Sequence, residues 1–539
     1  MQYRSVLKSA SLVGFFILIS RLFGLVRDVV FAHYFGTSLA KSAFDVAFRI
    51  PNLFRRLFGE GALSASFIPV FTESLEKDTR EEAWKLASRV RSMLVTVLAA
   101  IVMAGMAVVW LVLRYGHFDE RAFLTLSLLQ LMLPYAMFIC VVALCMAVLN
   151  SFKHFAVPAA TPIILNLVLI ASMVWVCPWF GTSAEERIFG VAWGVVAAGL
   201  IQMFVQYPAL KKFGFTSMFS FNWRDSRVGK VLLLMLPASV GMGITQINVV
   251  VGGVLALWAG AWAPAALTYA EHMVYLPLGL FATSLGTVLL PTFSTFAARN
   301  QTDEINRTIN SALRHLMFIM IPAAVGLAVL AEPIIRLLLE RGAFNEQSTM
   351  LTARALQFYA PGLFAFSLCK IFAPAFYSMK DTTTPVKVGI CAIALNFALN
   401  VTGIVYLPEL YKHAAIALGS VIAETVNGCL LAWLLQRKIG SPGWREITSS
   451  LFRTLICAAI MGVCVFGANA YLGDFSKGVH AHLWLRQLVV VVACIATGAA
   501  VYAGAVMIFC RKEVRELMTL RRHKEPAPRQ DPPCRQDGQ

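Results

Sequence analysis

Residues 93–113 read MLVTVLAAIVMAGMAVVWLVL, an unbroken apolar run without a charge. Coiled as a helix that rises about 1.5 Å per residue, it spans roughly 30 Å, the thickness of a bilayer's hydrocarbon core. Runs of this kind recur from one end of the chain to the other. Of its 539 residues, 58% are hydrophobic and only 14% charged, whereas a soluble domain carries about 25% charged residues. The runs are continuous rather than alternating, which argues against a transmembrane barrel. The expected fold is an all-α polytopic membrane protein with about fourteen transmembrane helices. They fall at 9–33, 41–74, 86–113, 122–151, 156–180, 188–210, 231–258, 264–297, 315–335, 355–379, 388–407, 413–436, 454–472 and 487–510. The first run is not read as a cleaved signal peptide, because Arg21, Arg27 and Asp28 interrupt it and no small-residue cleavage site follows.

The formal net charge of +17 could suggest nucleic acid, but in such a chain basic residues mark the cytoplasmic loops. With the N-terminus inside, the cytoplasmic loops and adjoining span ends hold 30 Lys and Arg and the external ones 10, so both termini are expected in the cytoplasm. The chain also repeats itself. LQLMLPY at Leu129–Tyr135 and NSFKHFAVP at Asn150–Pro158 resemble LQFYAPG at Leu356–Gly362 and YSMKDTTTP at Tyr377–Pro385, both 227 residues on. Span 2 ends ASFIPVF and span 8 ends TVLLPTF; span 6 ends KKFG and span 12 ends RKIG. An even-numbered unit repeated in one orientation gives two pseudo-symmetric six-helix lobes. The expected division is an N-lobe at 1–228, a C-lobe at 229–440, two extra C-terminal helices within 441–510, and a basic, Pro-rich, disordered tail at 511–539. The eleven cysteines include no CxxC pair, so neither a disulfide framework nor a metal site is expected.

Six basic side chains remain inside spans: Arg21, Arg27, Arg49, Arg55, Arg56 and Lys370. A charge at mid-bilayer costs about 2.5–3.5 kcal/mol on insertion scales, so such groups persist only facing water or an anionic partner. Five of the six lie in spans 1 and 2. At 100° per residue, Asp45, Arg49, Asn52, Arg56, Glu60 and Ser64 form one stripe, with Asp45–Arg49 and Arg56–Glu60 spaced as i,i+4 pairs. Arg55 lies off that stripe in a regular helix, but Pro51, Gly59 and Gly61 make regularity doubtful. With Arg21, Arg27 and Asp28 on span 1, the cations outnumber the anions. That pattern describes an anion site, and the planar guanidinium fork suits phosphate. A salt-bridge network that only ties the two spans together is the competing reading. Elsewhere Asn166, Glu271, His272, Lys370 and Glu424 are isolated polar groups. Asn396 and Asn400, an i,i+4 pair, could coordinate an ion, and Lys370 and Glu424 could pair.

These residues resemble the MviN/MurJ family of lipid II flippases, within the multidrug/oligosaccharidyl-lipid/polysaccharide exporter superfamily. The resemblance is carried by SRLFGLVRD (Ser20–Asp28), PNLFRRLFGEGALSASFIPVF (Pro51–Phe71), GTVLLPTFS (Gly286–Ser294) and KIFAPAFYSMKDTTTPVK (Lys370–Lys387). It implies an alternating-access exporter of undecaprenyl-diphosphate-linked disaccharide-pentapeptide. Arg21, Arg27, Arg55 and Glu60 would line its cavity, with the arginines on the diphosphate and Asp28 and Arg56 orienting them. Spans 13 and 14 would shape a groove for the lipid tail. Two positions depart from the family. Ser42 stands where an aspartate is common, with Asp45 one turn later. Glu271-His272 replaces an acidic-arginine pair, and histidine makes that contact dependent on pH.

No bond chemistry, cofactor or catalytic residue is expected, and no nucleotide motif is present. The membrane potential alone favours outward movement of an anion by about 2.3 kcal/mol per charge per 100 mV. The expected partners are the lipid-linked diphosphate, membrane lipids and cell-wall synthases, with no nucleic acid; the expected state is a monomer in the bacterial inner membrane. The alternatives are an exporter of another lipid-linked oligosaccharide and a membrane-embedded transferase.

Overall fold

The computed structural model describes the backbone of residues 2–59, 62–215, 220, 225–476 and 483–510, and these are helical with no strand. In chain order the α-helices are α1 (Gln2–Phe35), α2 (Leu39–Phe54), α3 (Ala62–Lys77), α4 (Arg80–Tyr115), α5 (Glu120–Ser151), α6 (Ala156–Ala171), α7 (Ala184–Lys212), α8 (Ser226–Ala259) and α9 (Ala263–Pro277). They continue as α10 (Thr283–Ala298), α11 (Thr302–Val329), α12 (Ala331–Leu339), α13 (Glu346–Tyr359), α14 (Gly362–Ser378), α15 (Thr383–Tyr406), α16 (Glu409–Ile439), α17 (Trp444–Ser476) and α18 (Leu483–Phe509). Ten helices among the described residues are long and apolar enough to cross a membrane, and the pair α13–α14, bent by 44°, makes an eleventh. The remaining expected spans, 9–33, 41–74 and 231–258, fall on α1, α2–α3 and α8. Large apolar side chains such as Val463 (74% exposed) and Leu233 (73%) project outward, as a lipid-facing surface requires. The expected tail at 511–539 and Glu60 lie outside the described residues.

Packing groups the chain into two units. The first contains Met1–Leu276, Ala331–Gly362 and Thr382–Leu430; the second contains Pro277–Leu330, Leu363–Asp381 and Leu431–Gln539. This grouping runs across the 228/229 boundary expected from the repeat. Within the first unit α5 is central and packs on α2, α3, α4 and α7, while α1 lies on α6, and α8 on α2, α3 and α15. Tyr135, Tyr269, Phe35, Phe67, Phe71 and Phe344 are its largest fully buried side chains. Within the second unit α17 packs on α11 and α18. Asn306 and Asn310 of α11 donate to the carbonyls of Ile439 (2.7 Å) and Pro442 (2.8 Å), which satisfies backbone acceptors at the α16–α17 connection.

The sequence repeat appears as matched backbone geometry. Lys153 (φ 58°) and Lys380 (φ 60°), 227 residues apart, are both left-handed non-glycine residues. Each sits in the same double hydrogen bond that closes a helix C-terminus: Lys153 N to Asn150 O with His154 N to Leu149 O, and Lys380 N to Tyr377 O with Asp381 N to Phe376 O. Gly214 (φ 86°) and Gly440 (φ 88°) end the sixth and twelfth spans alike. The second and eighth spans are both interrupted by a five-residue π-helical turn, Arg55–Gly59 and Leu278–Ala282. A third π turn, Ser172–Val176, has no counterpart among the described residues of the second half.

Two contacts position the helices that carry the in-span charges. At the end of α1, Gly36 adopts φ 55°, and a Cβ there would lie 2.4 Å from Ala343 O. Ala343 N donates to His33 O (2.8 Å), and Tyr269 donates its hydroxyl to Gly36 O (3.3 Å). At the other end of the first unit, Arg227 at the start of α8 donates to Asp78 (2.9 Å), Glu82 (3.2 Å) and Asp225 (3.0 Å), and Arg89 pairs with Asp225 as well. The Arg227 hydrogen bond, aided by Arg89, holds the Asp225 carboxyl down at about 2, from an ordinary 3.8.

Both contacts are testable. Gly36→Ala combines left-handed strain with a backbone clash and is expected to cost on the order of 2–4 kcal/mol. Gly14→Ala, a helical position where a Cβ meets nothing within 4 Å, leaves the thermal midpoint of the purified protein unchanged or raised. Arg227→Ala is expected to cost about 1–3 kcal/mol, toward the lower end because the side chain is partly exposed. Asp225 has a lower value folded than unfolded, so its contribution is complete above 3.8 and fades as pH falls toward about 2. The difference in midpoint between wild type and Arg227→Ala should therefore be flat near neutrality and shrink on acidification through that interval.

Candidate functional site

Four of the six in-span basic residues, Arg27, Arg49, Arg55 and Arg56, converge on one cavity of about 410 Å³ inside the first unit. Helix α1 supplies Arg27 and Asp28. Helix α2 supplies Lys41, Asp45, Arg49 and Asn52, and the π turn that follows supplies Arg55 and Arg56. Asn166 enters from α6, Gln246 from α8, and Glu271 and His272 from α9. A regular helix would have turned Arg55 off the stripe of Asp45, Arg49, Asn52 and Arg56. The π turn begins at Arg55; its wider ring adds about one residue to the turn. Both arginines therefore line the cavity. Pro51, four residues earlier, has no amide hydrogen to donate and so weakens the helix just before this turn.

Asp28 is the hub. It is only 8% exposed, and its Oδ1 accepts from Arg27 Nε (3.1 Å) and Nη2 (2.8 Å). Its Oδ2 meets His272 Nδ1 at 2.7 Å. Arg27 Nη1 donates to Asn166 Oδ1 (3.1 Å), and Asn166 Nδ2 donates back to Ser20 O (3.2 Å). Asn166 thus fastens α6 to α1 through the arginine and the backbone. Farther along, Arg55 Nε donates to Asn52 Oδ1 (2.7 Å), Arg49 to Val249 O (2.7 Å) and Arg56 to Gln246 Oε1 (3.4 Å). Glu271 accepts from the Tyr359 hydroxyl (3.0 Å).

The structure adds to the sequence reading at Asp45, Ser42 and Arg21. Asp45 forms its ion pair with Lys41 (2.5 Å), one turn back, and not with Arg49. Lys41 is almost fully buried, with its ammonium 4.7 Å from the Phe31 ring centre and 4.9 Å from that of Tyr269; burial among aromatic faces is how a desolvated ammonium is tolerated. Asp45 therefore arrives at the cavity already neutralised, and Ser42 does not line it. The Ser42 hydroxyl instead accepts from Ala265 N (3.3 Å), satisfying one of the free amides in the first turn of α9. Arg21 lines a second, smaller cavity of about 170 Å³ between α1 and α9, on which Arg27, Asp28 and His272 also border. That triplet separates the two spaces.

The other residues singled out in the sequence lie apart from these cavities. Asn396 donates to Ser420 Oγ (3.3 Å) and Asn400 to Asn396 Oδ1 (3.1 Å), which joins α15 to α16. Glu424 accepts from Asn427, one turn on (3.4 Å). Lys370 belongs to the second unit, whereas Glu424 belongs to the first. Sequence reasoning missed Lys41, Gln246 and Tyr359. For Lys41 a signal existed in its i,i+4 spacing to Asp45. For the others the contact depends on tertiary packing.

Among the described lining residues, five cations (Arg27, Lys41, Arg49, Arg55 and Arg56) face three carboxylates (Asp28, Asp45 and Glu271), before any charge on His272. Removing one member of a buried pair exposes the cost of the other. Lys41→Met is expected to destabilise by about 3–5 kcal/mol because Asp45 is left unpaired. Adding Asp45→Asn to that variant should recover most of the loss in thermal midpoint, and a double variant no better than the single one would remove the pair from this role.

Comparison with known proteins fits this picture. Residues 31–485 match the family model for lipid II flippase MurJ. The lipid II flippase MurJ of Burkholderia cenocepacia is 32% identical over 510 residues, covering 92% of this chain and 96% of that protein. The probable lipid II flippase MurJ of Vibrio cholerae is 34% identical over 478 residues, covering 86% and 89%. A solved structure of lipid II flippase MurJ in an inward closed conformation aligns with a TM-score of 0.74 at 26% identity, over 93% of this chain and 99% of that one. An inward-facing multidrug MATE-family transporter shares the fold at 13% identity, with a TM-score of 0.63 over 78% and 94%. The chain is a multi-pass membrane protein that belongs to the lipid II flippase MurJ family.

Proposed function

We propose that the protein moves lipid II from the cytoplasmic to the periplasmic leaflet of the inner membrane by alternating access, without bond chemistry. The observation that carries the reading is the excess of two positive charges among the described residues that line the cavity. A salt-bridge network that served only to join helices would balance its charges. Here Arg49 and Arg56 face the cavity and donate to neutral acceptors, Val249 O and Gln246 Oε1, which leave their charge to an anionic ligand. The diphosphate is the group that matches, because it offers paired oxygens to a guanidinium fork. At about 410 Å³ the cavity is at the small end of the roughly 300–1,000 Å³ typical of ligand sites. It suits the diphosphate, and the disaccharide-pentapeptide calls for the wider cavity of an open state.

The matched helix ends and π turns support two repeated six-helix lobes, at 1–228 and 229–440, rocking about this site, with 441–510 as the groove for the lipid tail. Both termini are placed in the cytoplasm on the distribution of Lys and Arg, which puts the Arg227 cluster on the cytoplasmic side. The chain acts as a monomer, with cell-wall synthases as the partners that consume its product. The membrane potential drives the anion outward. The Asn396–Asn400 pair, with Glu424 on the α16 helix that Asn396 bonds, is the place to look for a coupling ion, since Asn400 Oδ1 is a buried acceptor without a hydrogen-bond partner.

The test replaces Arg27 and Arg55 singly with alanine and measures both translocation of labelled lipid II in proteoliposomes and rescue of cells depleted of their own flippase. A hydrogen bond to a charged group contributes roughly 1.5–3 kcal/mol, so each variant should lose about ten- to a hundredfold in transport while remaining folded in the membrane. Full activity in both would overturn the anion cavity.

A further inference from the structure

His272 borders both cavities, and its surroundings fix what its proton can do. Its Nδ1 lies 2.7 Å from Asp28 Oδ2. The other Asp28 oxygen already takes two hydrogen bonds from Arg27, and a carboxylate held in this way is ionised and can only accept. Nδ1 must therefore carry a hydrogen and donate it. That settles the tautomer: a neutral His272 keeps its lone pair on Nε2, and a charged one gains its proton there. With Nδ1 engaged, Nε2 is the nitrogen left for an incoming group, on a side chain that is 37% exposed and borders both cavities.

A phosphate oxygen is an acceptor. Against the neutral ring it would meet a lone pair, and against the charged ring it would meet a donor. We infer that the anionic head group binds with uptake of one proton at His272 Nε2, so that anion binding in this cavity is linked to pH where an arginine would make it constant. This rests on the anion-cavity reading of the preceding subsection. The charged and titratable groups that line the same two cavities leave His272 as the proton acceptor. From α1 they are Arg21, Arg27 and Asp28; from α2 and its π turn, Lys41, Asp45, Arg49, Arg55 and Arg56; from α9 itself, Glu271 and Tyr275. The arginines stay charged throughout, Asp28 and Asp45 are held by cations, and Glu271 accepts from Tyr359. A further consequence follows for Arg27. A cationic His272 meets part of the charge of Asp28 and so loosens the hold of that carboxylate on Arg27, which is thereby freed to turn to the same phosphate.

The experiment uses the full chain in lipid nanodiscs with undecaprenyl diphosphate as the probe. Its Kd is measured between about pH 5 and 8, the interval in which an imidazole changes charge, for wild type, His272→Arg, His272→Gln and Glu271→Gln. Because the probe titrates too, the quantity that decides is the difference between wild type and His272→Arg. At the alkaline end wild-type binding should weaken relative to His272→Arg by about tenfold per pH unit, as one linked proton requires. Calorimetry in two buffers of different ionisation enthalpy should find about one proton more taken up by wild type than by His272→Arg. His272→Gln should bind weakly at every pH with the pH profile of His272→Arg, and Glu271→Gln should keep the wild-type profile. Identical profiles and proton counts for wild type and His272→Arg, with binding intact, would overturn the linkage alone. A profile lost in Glu271→Gln instead would move the proton to that carboxylate and overturn the assignment to His272. Absence of binding by wild type and His272→Arg at every pH would overturn the anion-cavity reading itself.

Discussion

One carboxylate in the interior of the first packing unit, Asp28, holds Arg27 with one oxygen and His272 with the other. The rest of the cavity depends on this arrangement. An isolated charge at this depth would cost several kcal/mol, so each of the three groups is tolerated because the others are present. The same contacts fasten α1 to α9, and Asn166 extends them to α6 through Arg27 and the Ser20 carbonyl. Among the described lining residues what is left over is positive, since Arg49 and Arg56 donate to neutral acceptors, Val249 O and Gln246. Neutral acceptors satisfy guanidinium hydrogens without cancelling charge.

The fold class was legible because a bilayer imposes a length and a composition that survive any detail of packing. All fourteen expected runs fall on helices. The in-span arginines were legible for a related reason: their cost in lipid requires a function or a partner. What escaped was the set of partners. Asp45 could pair one turn forward with Arg49 or one turn back with Lys41, and helical spacing treats the two alike. The choice falls to Lys41 because Phe31 and Tyr269 supply aromatic faces to its ammonium, and Tyr269 is more than two hundred residues away. Tyr359 reaching Glu271 and Gln246 reaching Arg56 are of the same kind. The Arg55 conflict was visible as a contradiction between helix geometry and resemblance. Its resolution, a π turn, has no sequence signature beyond the nearby Pro51 and Gly59.

That π turn also says how the two halves of the chain differ. It recurs at Leu278–Ala282, and the paired segments read RRLFG and LGLFA. The Leu-Phe pair is kept while both arginines are absent from the second copy. The turn is therefore not a consequence of the arginines, since the same backbone forms without them. The matched helix ends at Lys153 and Lys380, and at Gly214 and Gly440, make the same point at other positions of the repeat. The repeated element is a backbone scaffold with interruptions at fixed places, and the side chains on it differ between the copies. The first carries Arg55 and Arg56 on its turn where the second has Leu278 and Gly279. The second supplies Glu271 and His272 to the cavity from the helix that leads into its own turn. A backbone that keeps its interruptions while its side chains change separates what the repeat preserves, the geometry, from what it does not, the charge.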